Sequence, residues 1–140
     1  GGRRSRMTRA SAIDRVIGGF FLVMAGINIG LVVVDGSVYR HFAEGGLFEF
    51  VSTGWRTIVM EHPGFWIGLL AAGELAIGAA ILAGSRWARA GYAAAVTFQL
   101  ALMLFGWGFW VWSVPAITVL TLAVRSRTRS EVARKSALAA

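Results

Sequence analysis

The stretch GFWIGLLAAGELAIGAAILA, residues 64–83, carries a single charged side chain, Glu74, near its middle. A bilayer core about 30 Å thick needs about 20 apolar residues in a helix that rises 1.5 Å per residue. This stretch has that length, so we predict that it crosses a membrane as a helix. A charge at the centre of such a span costs about 2.5–3.5 kcal/mol. We therefore expect Glu74 to face the protein interior beside a polar partner.

Three further apolar runs flank this stretch, at about residues 13–34, 88–105 and 109–124. None alternates with the period of two that a membrane β-barrel requires. We predict an all-α integral membrane protein, an antiparallel four-helix bundle formed by residues 13–124. The first run is longer than the roughly 7–15 apolar residues of a signal peptide, which favours a retained span over a cleavable leader.

The charges predict an orientation for these spans. The chain has 14 Lys and Arg against 7 Asp and Glu, for a net charge of +7. Twelve of the 14 basic residues lie on one side of the arrangement, and only Arg40 and Arg56 lie on the other. The positive-inside rule then places both termini, the basic segments 1–12 and 125–140, in the cytoplasm. The excess of Arg over Lys is typical of a GC-rich bacterial genome, so we expect the bacterial cytoplasmic membrane.

The loop 35–63 is the longest connection, and it lies on the outer side in this topology. Its second half, residues 47–60, places apolar side chains at helical spacing, which predicts an amphipathic helix at the membrane surface or over the bundle. Aromatic residues near the boundaries favour an interfacial belt, with a stacking site for a flat ligand such as a quinone ring as the alternative. The residues that we expect to anchor the protein in lipid are Trp55, Trp66, Trp110, Trp112, Arg125, Arg127 and Arg129.

Polar residues in three spans fall in one depth band. At 1.5 Å per residue, Asn28 in the first span and Gln99 in the third lie at nearly the depth of Glu74. Tyr92 shares a helix face with Gln99, so we assign it to the same intramembrane polar site. Two hypotheses follow: a hydrogen-bonded clasp of Glu74 with Gln99 or Asn28 that fixes helix register, or a polar cavity that binds a ligand headgroup or handles a proton.

Small residues recur at four-residue spacing in two spans, a pattern typical of close helix packing in membranes. The candidate packing positions are Gly26 and Gly30 in the first span, and Gly68, Ala72, Ala76 and Ala80 in the second.

Other chemistry receives little support. The chain has no cysteine, which excludes disulfides and thiol chemistry. His41 and Glu44 have the spacing of a helical pair, but two ligands do not specify a metal site, and we predict none. The chain contains no nucleotide-binding fingerprint, and its basic residues lie at the ends of apolar runs, so nucleic acid is not an expected partner.

Two segments resemble the DoxX-like family of small four-helix membrane proteins. They are RVIGGFFLVMAG at residues 15–26 and GELAIGAAIL at residues 73–82. The resemblance implies a four-helix bundle with Glu74 as a family-like polar position. For some members it also implies a role as a small subunit beside quinone-linked or other redox enzymes.

Two functions are consistent with these observations. The first is an accessory subunit that contacts membrane lipid and packs in a larger membrane complex, with no catalysis of its own. The alternative is a small enzyme or transporter with a pocket around Glu74 for a lipid-like or quinone ligand. No cofactor is evident from the residues, and quinone is the candidate that we retain.

Overall fold

The computed structural model describes residues 10–140, and this part of the chain is helical without any strand. The elements are α1 (Ala12–Asp35), a 3-10 helix (Gly36–Ala43), α2 (Glu49–Gly54) with a π-helical continuation (Trp55–Val59), α3 (Pro63–Ala83), α4 (Ser85–Met103) and α5 (Trp107–Ala139). The all-α prediction is therefore confirmed. The basic residues before position 10 lie outside the described residues.

Local chemistry explains where the long helices begin and end. Ser11 and Asp14 form a capping box at the start of α1, in which the Asp14 amide donates to Ser11 Oγ at 3.1 Å and the Ser11 amide donates to Asp14 Oδ2 at 2.9 Å. Pro63 occupies the first turn of α3, where its missing N–H has no helical partner to lose. Gly84 and Gly106, with φ of 72° and 121°, break the chain on either side of α4.

Three of the helices are long and apolar enough to cross a membrane: α1 with its 3-10 continuation, α3 and α5. This supports a membrane protein. The helix α4 has 19 residues, enough in length, but its arginines, Tyr92 and Gln99 leave it without an apolar stretch like those in the other three helices. The span expected at 88–105 therefore stays a prediction.

The helix α5 does not end near residue 124, where we expected the basic tail to begin. It continues to Ala139, so most of the segment 125–140 is helical. The tail is rich in good helix formers and has no glycine or proline. It is also held to the rest of the protein by two ion pairs, Arg127 with Asp14 and Arg89 with Glu131.

The long helices pack in chain order, α1 on α3, α3 on α4 and α4 on α5. The helices α1 and α3 approach each other closely at Gly18 and Gly78, where a Cβ on Gly78 would lie 2.8 Å from the Gly18 carbonyl oxygen. At Gly91 of α4, the absence of a side chain leaves room for Ile81 of α3, because a Cβ there would lie 2.7 Å from Ile81 Cγ1. None of these three glycines was among the packing positions expected from the sequence.

Most of the expected ridge positions make no such close contact, and Ala80 is the exception, since its Cβ would lie 3.2 Å from a Cβ on Gly91. A Cβ on Gly26, Gly30 or Gly68 would meet nothing within 4 Å, and Ala72 and Ala76 are exposed, with Ala80 half-buried. The reason is the rotation of α3. Its buried face contains Ile67, Ala71, Glu74, Ile77, Gly78 and Ile81. Because Glu74 is turned inward, Ala72, which lies about 200° around the helix from it, is turned outward.

Candidate functional site

Glu74 lies in the interior, on the face of α3 that contacts α1, and only 2% of its surface is exposed. Asn28 of α1 donates a hydrogen bond from Nδ2 to Glu74 Oε1 at 2.6 Å. The structure thus brings together two of the polar residues that the depth argument placed in one band. The antiparallel packing of α1 on α3 produces this pairing.

A third polar group comes from the loop and was missed by the sequence argument. Tyr39, in the 3-10 helix, donates from its hydroxyl to Asn28 Oδ1 at 2.6 Å and is 2% exposed. Its position is fixed by Trp55, whose indole nitrogen donates to the Tyr39 carbonyl oxygen at 2.7 Å. Tyr39, Asn28 and Glu74 form a directed chain of hydrogen bonds, which we call the Glu74 network. Apart from its aromatic hydroxyl, no signal in the loop sequence pointed to Tyr39.

This network lines a cavity of about 700 Å³, the Glu74 cavity. Pockets that bind small molecules commonly have volumes of 300–1,000 Å³ and apolar walls with a few polar groups. The walls here come from α1, the loop, α3, α4 and α5, and most are aromatic or aliphatic. They include Phe20, Phe21, Met24, Phe42, Leu70, Phe98, Leu102, Phe105, Phe109 and Trp112. Within residues 10–140, no lysine or arginine lines the cavity.

Gln99 lines the same cavity but does not bond to Glu74, so of the two partners expected for a clasp only Asn28 bonds to Glu74. Its Oε1 instead accepts from Ser113 Oγ of α5 at 3.2 Å. In the described part of the chain, neither the second carboxyl oxygen of Glu74 nor the amide nitrogen of Gln99 has a hydrogen-bond partner, and neither atom is sealed off. The cavity therefore offers one carboxyl oxygen and one amide donor to a guest.

Tyr92 lies elsewhere, in a second polar group that we call the Asp14 cluster. Its hydroxyl donates to Asp14 Oδ1 at 2.7 Å, and Arg127 Nη1 donates to Asp14 Oδ2 at 2.5 Å. The prediction that Tyr92 belongs to the Glu74 site is wrong. Tyr92 and Gln99 share a face of α4, but seven residues separate them by about 10 Å along the axis. That distance places Tyr92 near the N-terminal end of α1.

Arg127 was expected to anchor the protein in lipid, but its side chain is only 16% exposed and is paired with Asp14. Arg125 and Arg129 are exposed, as an anchoring role requires. Arg15, the neighbour of Asp14 in the sequence, donates to the Ala10 carbonyl oxygen and forms no ion pair with Asp14. The Asp14 cluster joins three helices and gives both carboxyl oxygens of Asp14 a hydrogen-bond partner.

Of the tryptophans expected to anchor the protein in lipid, some pack against other side chains and one is exposed. Trp55 packs inside the protein, with its ring centroid 5.6 Å from Phe42 and 5.0 Å from Phe105. Trp110 is half-buried and donates to the Met103 carbonyl oxygen at 3.1 Å. Trp66, also half-buried, packs against Phe65. Trp112 is 50% exposed and lies at the edge of the cavity, 5.6 Å from Phe20. Of the four expected anchors, only Trp112 is largely open to the surroundings.

His41 and Glu44 form the pair that their three-residue spacing indicated. His41 Nδ1 lies 3.0 Å from Glu44 Oε1, and both side chains are exposed. Residues 10–140 contain no group of three histidine, aspartate or glutamate side chains placed to hold a metal ion. This surface pair has no further ligand in the described chain.

No protein-family model, curated protein or solved structure matches this chain. The likeness to DoxX-like proteins therefore rests on the two sequence segments alone, and the function has to be argued from the Glu74 cavity.

Proposed function

We propose that this protein binds a small apolar molecule, such as a quinone ring, inside the membrane in the Glu74 cavity. One observation carries the proposal: a cavity of about 700 Å³ with aromatic walls contains a carboxyl oxygen and an amide donor that lack protein partners. Both atoms are open to the cavity. A few polar groups in otherwise apolar walls are typical of small-molecule sites, where they fix the orientation of the guest.

The setting that we propose is a DoxX-like four-helix bundle with α4 as the fourth span. Exposed apolar side chains on α1, α3 and α5 support contact with lipid. The arginines on the helical tail of α5 support a cytoplasmic location for both termini in a bacterial membrane. In this setting the loop covers the outer end of the cavity and contributes Tyr39.

The chemistry of the walls favours a flat, weakly polar guest. Phe20, Phe98 and Trp112 present aromatic surfaces that stack on a ring. The Gln99 amide donates to a carbonyl oxygen, and Glu74 interacts with a hydroxyl or a carbonyl according to its protonation. The described residues supply no complete catalytic set, so the proposal is binding or presentation of the molecule.

The test is native mass spectrometry of the protein extracted in mild detergent from its own membrane. Met24 lines the cavity, so Met24→Trp fills it, whereas the neighbouring Val23 is 61% exposed and Val23→Trp does not. We expect wild type and Val23→Trp to retain a bound apolar molecule of one mass, and Met24→Trp to lose it. Equal retention by all three proteins, or no bound molecule in any, would overturn the proposal.

The second candidate function, an accessory subunit of a larger membrane complex, is favoured by the exposed small-residue ridge of α3. Ala72 and Ala76 face outward, where a helix of another protein fits closely. The same spectra test this candidate, because a stoichiometric larger protein would appear in the particle. Ala76→Leu is expected to release that partner while the bound small molecule stays. No partner in wild type contradicts this function.

A further inference from the structure

A second, narrower cavity continues from the Glu74 cavity. It has a volume of about 260 Å³ and shares Phe20, Phe21, Gln99 and Trp112 with its larger neighbour. Its other walls are apolar side chains of α1 and α5. We call it the α1–α5 groove. Because the two cavities share four residues, a single elongated molecule can occupy both.

The groove lies between two helices that are apolar enough to contact lipid. The main packing contacts of α1 are with α3, and those of α5 are with α4. Beside the groove, Val16 of α1 is 73% exposed and Val119 of α5 is 54% exposed. The gap between the helices is therefore open sideways, toward the acyl chains of a surrounding bilayer.

The polar groups are confined to one end of the combined space. Asn28, Glu74 and Gln99 lie in or at the edge of the Glu74 cavity, and apart from Gln99 the groove has apolar walls. From Trp112 to Val119 the groove follows α5 for seven residues, about 10 Å. This arrangement matches a molecule with a polar head and an extended apolar tail.

The charge of the head is constrained by its surroundings. No lysine or arginine among the described residues lines either cavity. His41 lines the larger one, but it is exposed and paired with Glu44, and the carboxyl of Glu74 is at the head end. A buried phosphate requires cations or several strong donors to replace its hydration. The polar end of this site offers the amide nitrogen of Gln99 and one carboxyl oxygen of Glu74 instead, which suit a neutral carbonyl or hydroxyl.

We propose that the site takes a neutral-headed amphiphile with a long apolar tail, whose head lies at Glu74 and Gln99 and whose tail lies in the α1–α5 groove after sideways entry from the bilayer. This rests on the proposed function of the Glu74 cavity and adds the class of ligand and its path.

The experiment compares three probes on the protein reconstituted in lipid nanodiscs: decylubiquinone, its tail-less parent quinone and decyl phosphate. Val119→Trp fills the groove. Val114→Trp is the matched control, since Val114 is 48% exposed, lines neither cavity and lies about 140° around α5 from Val119. Comparing variants with one probe at a time keeps partition into the lipid constant, and affinities of different probes are compared at equal probe concentration within the lipid.

We expect Val119→Trp to weaken decylubiquinone binding by about tenfold or more. This is the loss expected when two methylenes of the tail no longer contact apolar walls. Binding of the tail-less quinone should stay within about twofold of wild type, and Val114→Trp should change neither probe. Decyl phosphate should bind more weakly than decylubiquinone by at least about tenfold. Ala116→Phe fills the same groove and replaces Val119→Trp if that variant does not fold.

The outcomes separate the two proposals. If neither quinone binds wild type, the Glu74 cavity is not a quinone-type site and both fail. If both quinones bind but groove variants leave decylubiquinone unaffected, the tail path is wrong while the cavity proposal stands. Binding of decyl phosphate as tight as that of decylubiquinone overturns the neutral head.

Discussion

Asp14 and Glu74 are both buried carboxyl groups, 1% and 2% exposed, yet their surroundings differ. Asp14 accepts from Tyr92, from the Ser11 amide and from Arg127, so its charge is neutralised and both oxygens are bonded. Within residues 10–140, Glu74 accepts from Asn28 alone. Both acids line cavities, of about 230 Å³ at Asp14 and about 700 Å³ at Glu74, but only Asp14 has a cation and partners for both oxygens.

The difference shows which feature indicates function in this molecule. A paired carboxylate with its hydrogen bonds completed has nothing left to offer a ligand, and its removal leaves other buried groups without partners. Burying a carboxyl without a cation lowers the stability of the protein. Such a carboxyl keeps one oxygen that can bind a ligand, which explains its presence in a binding site. Removing groups from the Asp14 cluster should therefore reduce stability, and changes to Glu74 should reduce binding.

The largest loss of stability is expected from Arg127→Leu. The substitution leaves Asp14 buried without its cation, and breaking a buried pair in this way typically costs about 3–5 kcal/mol. Arg129→Leu is the control, because Arg129 is two residues away and exposed. Unfolding by increasing SDS in mixed micelles measures both variants. Similar midpoints for the two would show that the Asp14 cluster does not hold the helices together.

The two tyrosines of the chain permit a direct comparison of the two regions. Tyr92→Phe removes a hydrogen bond to a charged carboxylate, worth about 1.5–3 kcal/mol, and Tyr39→Phe removes a bond to a neutral amide, worth about 0.5–1.5 kcal/mol. We expect the unfolding free energy to fall more for Tyr92→Phe. A larger loss for Tyr39→Phe would make the Glu74 network the stronger structural element.

A substitution at the contact between α1 and α3 should cause an intermediate loss of stability. Gly78→Ala places a methyl group against the Gly18 carbonyl, a clash that costs about 1–3 kcal/mol and is partly offset by the better helix propensity of alanine. Gly68→Ala meets nothing within 4 Å and should be neutral or slightly stabilising. Thermal unfolding in detergent distinguishes them. If Gly68→Ala also lowers stability, then Gly68 and its neighbours on α3 pack closely within the chain, as the sequence predicted.

The sequence predicted the helices, the inward orientation of Glu74 and its proximity to Asn28, because hydropathy and depth depend only on position along the chain. It misplaced Tyr92, because residues on one helix face can lie two turns apart. It misplaced Arg127, because a residue beyond the end of an apolar run can still form a buried ion pair. Tyr39 was missed because the path of a loop is not encoded by periodicity. The packing glycines were misassigned because four-residue spacing does not fix the rotation of a helix.

The smallest loss of stability, with a large loss of binding, is expected from Glu74→Gln. Glutamine keeps the size of the side chain and an oxygen for Asn28, so the unfolding free energy should change by less than about 1 kcal/mol. The free carboxyl oxygen is replaced by an amide, and decylubiquinone binding should weaken about tenfold, which corresponds to 1.4 kcal/mol. Glu61→Gln, the same change at an exposed loop position, should alter neither quantity. If Glu74→Gln instead destabilises the protein as much as Arg127→Leu and leaves binding unchanged, Glu74 is a second structural clasp, and the contrast with Asp14 disappears.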